Sequence, residues 1–502
     1  MNPYLWPCLL VACLTAWAEG RRIVVFPMPF TSHIKYHTNV ARELVKLGHE
    51  VWLTMPDYVV AKGVLDTDHL TVVQYATEVN VEDAVMVSLR DKYFKDERQD
   101  WPQVIDVMKN YSDKLLRNES FFHVITDLRP DFIIIDNVIV KMLAVIAYRL
   151  GIPFAFLGTA YDTIASRVPF APAVTPLPLF VFTDHMTFWE RAQNVLVYLL
   201  ATLRDFNVYA DAVAIYAPEM PYLPLDMLVA QAELWLVEMD HILDYPRPTL
   251  PNVKLIGGTA AGPAKPLLPE FRSFMNGATQ GVVIVSFGSY VLELPEDISE
   301  KILQVLLQLP MKSVFRSELI SPDPEKILTS PWIPQNDLLG HPNTKVFVSH
   351  CGKNGQYEAL YHAVPVVATP MFSDQWYNAK RMRVKGFSET VDLRTIAASD
   401  LKDIIVKVAA ERRYKQAISI ASELFRIEFG VPMERAAFWL DHVMKHGGAH
   451  MRSAGQDIPY YQFLGLDIAM LFVLIFAVFF FMFVCCCRLS VKCLCRKKYK
   501  ED

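Results

Sequence analysis

The chain has 502 residues, more than one hydrophobic core usually organises, and 52% of them are hydrophobic, so two domains with ample buried material are expected. The 49 Lys and Arg against 54 Asp and Glu leave a formal net charge of -5. These charges form no basic stripe, which excludes the electrostatic footprint of a nucleic-acid binder.

At the start, MNPYLWPCLLVACLTAWAEG joins an apolar core to a small-x-small site over Ala16, Trp17 and Ala18. This is the pattern of a secretory signal peptide, residues 1–18, cut after Ala18. From Arg22 the order RIVVFP, a helical stretch through Leu47, Gly48 and His49, then VWLTMP reads as strand, helix, glycine stop, strand. DFIIID, a helical run to Leu150, Gly151 and PFAFLG repeat the same grammar. The alternation predicts an α/β fold with a parallel sheet covered on both faces, which binds ligands beyond the carboxyl ends of its strands. Asp66, Thr67 and Asp68 spell a DxD sequence without a strand end before it. His33 and His37 are four apart but lack the glutamate and third ligand of a zinc helix, so no metal site is expected. Asn110-Tyr111-Ser112 and Asn118-Glu119-Ser120 are sequons, relevant only if this part of the chain is lumenal. The strongly apolar stretch from Leu177 to Phe206 suits core, an acceptor pocket or contact with a membrane.

Between Tyr245 and Leu268 the proline- and glycine-rich YPRPTLPNVKLIGGTAAGPAKPLL is the best linker, dividing residues 19–250 from 251–450. The α/β pattern then restarts: VVIVSFGS, a helix opening at Pro295, Glu296 and Asp297, KSVFRS, a segment around Trp332, VFVS, a helix, PVVATP and another helix. Two such halves imply a cleft between them. In VFVSHCGKNGQYEAL a strand delivers His350 to its end, Gly352 and Gly355 allow a close turn, and the helix that follows aims free N–H groups at an anion. Taken alone, a structural histidine in a tight turn fits this stretch equally well.

Residues 451–467 lead to Ile468–Cys487, an apolar run without a charge. At about 1.5 Å per residue it spans roughly the 30 Å of a bilayer core. Arg488, Lys492, Arg496, Lys497, Lys498 and Lys500 crowd its far side, while Asp457 and Asp467 lie on the near side. Positive charge stays cytosolic, so residues 488–502 form a cytosolic tail and everything from Glu19 to about Leu466 faces the lumen or the outside. Lys498-Tyr499-Lys500-Glu501-Asp502 has the form of a Lys-x-Lys-x-x retrieval signal for the endoplasmic reticulum, or of an ordinary basic flank. Of eight cysteines only Cys351 falls in the ectodomain, which must stand without an intrachain disulfide.

The run WIPQNDLLGHP followed by FVSHCGKNGQYEALYHAVPVVATPMFSDQ resembles the nucleotide-sugar signature of the UDP-glycosyltransferases, in particular the animal UDP-glucuronosyltransferase group. The likeness continues through SFGS, Tyr245-Pro246-Arg247-Pro248, Glu434 to His446, the apolar span and the tail. It implies a GT-B fold: two Rossmann-like parallel-sheet domains facing a cleft, plus one C-terminal transmembrane helix. It also implies that the helix over Met433 to Met444 packs back across the first domain.

The resemblance further implies that Trp332 stacks on uracil while Gln335 bonds its edge. His350, the backbone through Gly352, Asn354 and Gly355, and Ser286 and Ser289 would hold the diphosphate. Glu358 would accept from the ribose, and Asp374 and Gln375 would bind the sugar hydroxyls. His33 would be the general base, with Asp136 orienting its ring and stabilising the imidazolium. The reaction so implied moves a hexosyl group from a UDP-sugar, a co-substrate, to a hydroxyl of a small lipophilic acceptor, with inversion and without cofactor or metal. The setting is a single-pass type I protein of the endoplasmic reticulum membrane with a lumenal body, in homo- or hetero-oligomers or alone.

Three departures stand out. The family's His-Gly-Gly is His350-Cys351-Gly352 here, Lys353 adds a charge near the phosphates, and Leu236-Val237-Glu238 replaces a segment where glucuronate users tend to carry Arg. A glutamate there would repel a sugar carboxylate, so glucose is expected over glucuronic acid. A catalytically inactive relative that binds lipophilic ligands or partner subunits is the alternative that Cys351 favours. A single-span receptor would leave the His33 and Asp136 pair unexplained.

Overall fold

The computed structural model describes residues 20–178, 180–208 and 211–498. The expected signal peptide, and the tail signal beyond Lys498, lie outside the described residues. The first sheet has seven parallel strands: β1 (Arg22–Phe26), β2 (Glu50–Pro56), β3 (Thr71–Tyr75), β4 (Phe132–Asp136), β5 (Phe154–Gly158), β6 (Leu234–Val237) and β7 (Val253–Leu255), in the order β3-β2-β1-β4-β5-β6-β7. The second has six, β8 (Val282–Ser286), β9 (Lys312–Arg316), β10 (Ile327–Ser330), β11 (Thr344–Ser349), β12 (Val366–Ala368) and β13 (Ser388–Thr390), in the order β10-β9-β8-β11-β12-β13. The strands are continuous apolar runs because both faces are covered; β1, β4 and β8 have no exposed residue.

In each sheet the strand order reverses once, between β1 and β4 and between β8 and β11. Loops leaving the carboxyl ends of the two flanking strands diverge there and open a crevice. The registers Phe26 with Ile135 and Ser349 with Ser286 bring level the strand ends that carry His33 with Asp136, and His350 with the turn after Ser286.

The first sheet runs five residues past the boundary drawn at 250, to Leu255, because β7 lies inside the proline-rich stretch and pairs with β6. Helix α1 (Thr31–Lys46) packs against the helix over Pro432–His446, whose Ala436, Ala437, Leu440 and Val443 share one buried cluster with Ile34, Val40 and Leu44 of α1. His49 Nε2 and Asp441 Oδ1, 3.0 Å apart, bind the two chain ends together. The terminal helix Leu466–Lys498 contains one stretch, Leu466–Lys492, long and apolar enough to cross a membrane, with mean hydropathy 3.1 and none of it buried.

Candidate active site

The two crevices face each other across one cleft of about 480 Å³. On the first wall, β1 ends and Phe30 starts α1, so His33 lies in the first turn and lines the cleft. Asp136, the last residue of the adjacent β4, is fully buried beneath it and accepts from His33 Nδ1 at 2.7 Å, from the Tyr36 hydroxyl at 2.6 Å and from the Val138 N–H at 2.8 Å. Burial alone would raise this carboxyl, but His33, His37 and the Tyr36 bond outweigh it and hold it below its ordinary value. The pairing fixes the His33 tautomer and leaves Nε2 as the nitrogen open to the cleft. His37 is buried, its Nδ1 3.1 Å from the His33 carbonyl, and burial pushes it down to about 4, so it is neutral packing beneath the site. The Asp66 carboxylate lies outside the cleft and pairs with Arg42 at 2.6 Å.

On the second wall, helix α2 (Lys353–Tyr361) starts directly after His350, Cys351 and Gly352. The His350 ring lies between two glycine backbones: a Cβ on Gly288 or Gly352 would come within 2.6 or 2.4 Å of its Nε2. That close approach is why glycine occupies both positions. Burial pushes His350 down to about 4, so its ring is a neutral hydrogen-bonding group at pH 7. Cys351 adopts φ +61, the left-handed region that glycine prefers, and its buried side chain packs in the core with Tyr357 and Ala379 instead of lining the cleft. The substitution that favoured an inactive relative therefore occupies none of the cleft.

Of the residues singled out in the sequence, His33, Ser289, Trp332, Gln335, His350, Gly352, Asn354, Gly355, Asp374 and Gln375 line this cleft together. Trp332 keeps 38% of its surface exposed and carries the Arg316 guanidinium 4.8 Å from its ring centre. Gln375 turns its amide oxygen to the N–H groups of Met371 and Phe372, leaving the NH₂ as its remaining donor. Asp374 accepts from Asn378 Nδ2 at 2.7 Å.

Ser286 does not reach the cleft. As the buried last residue of β8 it directs its hydroxyl to the Gly288 N–H at 3.5 Å, supporting the turn from below. Glu358 is fully buried at the rear, bound by Lys35 Nζ at 3.0 Å and by the Gln335 amide. Glu238 corrects the expectation drawn from it. Its carboxyl is buried, bonds the Thr259 N–H at 2.7 Å and the Thr259 hydroxyl, and is pushed up by burial toward its neutral form. It does not line the cleft and does not confront a sugar carboxylate.

Several partners were not anticipated. Tyr36 stands one turn after His33 on the same helix, a spacing that signals a shared partner. Contacts across the cleft had no such signal: the Ser32 N–H to the Tyr290 hydroxyl at 3.2 Å, Asn354 Nδ2 to the Ser32 carbonyl at 3.2 Å, and Lys353 Nζ to the Thr159 carbonyl at 2.8 Å.

Comparison with known proteins agrees with this geometry. Among solved structures, the glycotransferase of kitacinnamycin matches with a TM-score of 0.59 at 21% identity, covering 84% of this chain and 99% of that one. TcCGT1 in complex with UDP matches with a TM-score of 0.58 at 13% identity, covering 86% and 100%. The architecture is GT-B. UDP-glucuronosyltransferase 1-2 of Mus musculus is 32% identical over 97% of this chain and 94% of its own length. UDP-glucuronosyltransferase 1A3 of Homo sapiens is 31% identical over 97% and 95%. The family model described as UDP-glucoronosyl and UDP-glucosyl transferase matches residues 21–501. With an imidazole–carboxylate pair on one wall, the nucleotide-sugar signature on the other and likeness along nearly its whole length, this chain belongs to that family of UDP-glycosyltransferases.

Proposed function

We propose that the protein transfers a hexosyl group from a UDP-sugar to a hydroxyl of a small lipophilic acceptor, with His33 as general base. The observation that carries this reading is the His33 Nδ1 bond to buried Asp136, at 2.7 Å, which turns the other ring nitrogen toward a cleft whose far wall holds His350 and Trp332. The acceptor hydroxyl gives its proton to His33 Nε2 as its oxygen attacks the anomeric carbon. The bond from that carbon to the β-phosphate oxygen breaks on the opposite face, and UDP leaves with the electron pair. Configuration inverts. Asp136 stabilises the imidazolium that forms.

Trp332 and Gln335 take the base and Asp374 and Gln375 the sugar, with Glu358 behind them holding the Gln335 amide. His350, Ser289 and the backbone through Gly352, Asn354 and Gly355 take the diphosphate, and their donors stabilise the leaving charge. Val85, Met86, Leu89, Val104, Val138 and Ile139 line the first wall of the cleft and suit an apolar acceptor. The apolar stretch Leu466–Lys492 supports a single-pass anchor, with the catalytic body on the lumenal side of the endoplasmic reticulum membrane.

The test is transfer from a few UDP-sugars to a panel of phenols and steroids. His33→Ala should lower turnover by about 10² to 10⁴-fold while the rise in melting temperature on adding UDP persists. Parallel loss of both would place His33 in donor binding. Failure of UDP to stabilise the wild-type chain would remove the donor site altogether.

A further inference from the structure

The helix Val81–Phe94 puts Val85, Met86 and Leu89 on the cleft, and the helix Trp101–Arg117 that follows adds Trp101 and Val104 to the same apolar wall. The two ends of the first of these helices are held by different lobes. Near its start, buried Glu82 accepts from the Thr31 hydroxyl at 2.8 Å and from Lys62 Nζ at 2.9 Å, both within the first lobe. At its end, Arg394 arrives from the loop that follows β13 in the second lobe. The guanidinium donates to the Tyr93 carbonyl at 3.0 Å and to Asp96 Oδ1 at 2.6 Å, and lies 4.4 Å from the centre of the Tyr93 ring. Asp392 braces it at 2.8 Å and also accepts from the Tyr93 hydroxyl at 2.7 Å. A cation at this place suits the negative end of the helix dipole. The Asp96 side chain is largely exposed, so that pair contributes little, and the strength of the clasp lies in Tyr93 and Asp392. The loop presenting Arg394 is itself fixed in its own lobe, where Lys301 Nζ donates to the Leu393 carbonyl at 2.7 Å and the Ile396 carbonyl at 3.1 Å.

We propose that Arg394 is a positioning residue for the acceptor: from the second lobe it sets the lie of the helix that carries Val85, Met86 and Leu89, and with it the shape of the apolar wall. The inference rests on the acceptor site proposed above and names a residue outside the cleft that governs what that site takes. A rigid polycyclic acceptor such as a steroid covers the face from Val85 to Leu89 and is sensitive to a shift of the helix end. A simple phenol needs little beyond the space beside His33 and is not. Gln99 Oε1, in the loop between the two helices, accepts from the Ser373 N–H at 3.4 Å, so the same edge of the wall also meets the stretch that carries Asp374.

The experiment measures KM and kcat of the full-length wild type, Arg394→Met, Tyr93→Phe and the double variant with a steroid and with a simple phenol, at a saturating UDP-sugar, with UDP-induced thermal stabilisation alongside. Arg394→Met should raise the steroid KM about 5- to 150-fold, the range of coupling between separate sites, and leave the phenol KM, kcat and the UDP effect near wild type. Tyr93→Phe keeps the ring and loses one hydroxyl bond, so it should raise the steroid KM by a smaller factor, and the double variant by less than the product of the two. Tyr93→Phe decides the matter by itself if Arg394→Met does not fold. Equal losses with steroid and phenol, a loss carried by kcat or by UDP binding, or an unchanged steroid KM would overturn the proposal. If the wild type transfers sugar and the steroid KM of the variants does not move, this inference alone fails. If the wild type binds UDP yet transfers to no acceptor, the acceptor site proposed above fails and takes this inference with it.

Discussion

Replacing Asp136 by Asn tests the acid–base pair at its least accessible member. The buried carboxylate accepts from His33 Nδ1 at 2.7 Å, from the Tyr36 hydroxyl at 2.6 Å and from the Val138 N–H at 2.8 Å. Asparagine has nearly the same shape, and its oxygen keeps the Val138 bond. Its NH₂ then confronts the other two donors. The His33 ring must accept at Nδ1 and carry its proton on Nε2, the tautomer that cannot take a proton from the acceptor. The charge-assisted hydrogen bond to the imidazolium, worth about 1.5–3 kcal/mol, is lost. That alone corresponds to a fall in turnover of roughly 10- to 10²-fold, and the wrong His33 tautomer lowers it further. The assay is turnover at saturating donor, paired with UDP-induced thermal stabilisation, which should stay near wild type because the donor signature occupies the other wall. A folded variant that binds UDP and keeps more than about a tenth of its turnover would refute the role given to Asp136. So would a parallel loss of UDP binding.

Trp332→Ala should weaken UDP binding by roughly 5- to 100-fold, the worth of one base–aromatic stack, and calorimetric titration with UDP measures it. Cys351, fully buried and with its thiol pushed up by burial, should resist alkylation until the chain unfolds, which peptide mapping of iodoacetamide-treated protein reads directly. Acid should destabilise the fold before its carboxylates titrate. Burial depresses His37, His350 and His362 from 6.5 to about 4, so the unfolded chain takes up protons first as pH falls through that window. Their stabilising contribution is complete above pH 6.5 and declines toward pH 4, and a melting temperature flat across that range would contradict the buried neutral rings. Asp136 has the opposite chemistry but the same sense: its folded value is depressed, so its contribution is complete above about pH 4 and is lost only below it.

The strands that announce themselves in the sequence are unbroken apolar runs bounded by glycine, as in RIVVFP, DFIIID and VVIVSFGS, because a strand covered on both faces needs no alternation. β7 was hidden because three residues among prolines carry no periodicity, and only pairing with β6 makes them a strand. Most of the proposed donor site was legible because the signature is contiguous. What could not be read was direction. Ser286 and Glu238 are near the right strand ends, yet the first turns under its loop and the second toward Thr259. Contacts such as Lys35 with Glu358 join residues 323 positions apart, which no local pattern encodes.

The turn that presents His33 is stitched to the opposite lobe: Ser32 meets both Tyr290 and Asn354, and Lys35 reaches Glu358. On the proposed chemistry, these bonds set the distance between the proton acceptor on one lobe and the nucleotide sugar on the other, so the reacting atoms are aligned by contacts that neither lobe makes alone.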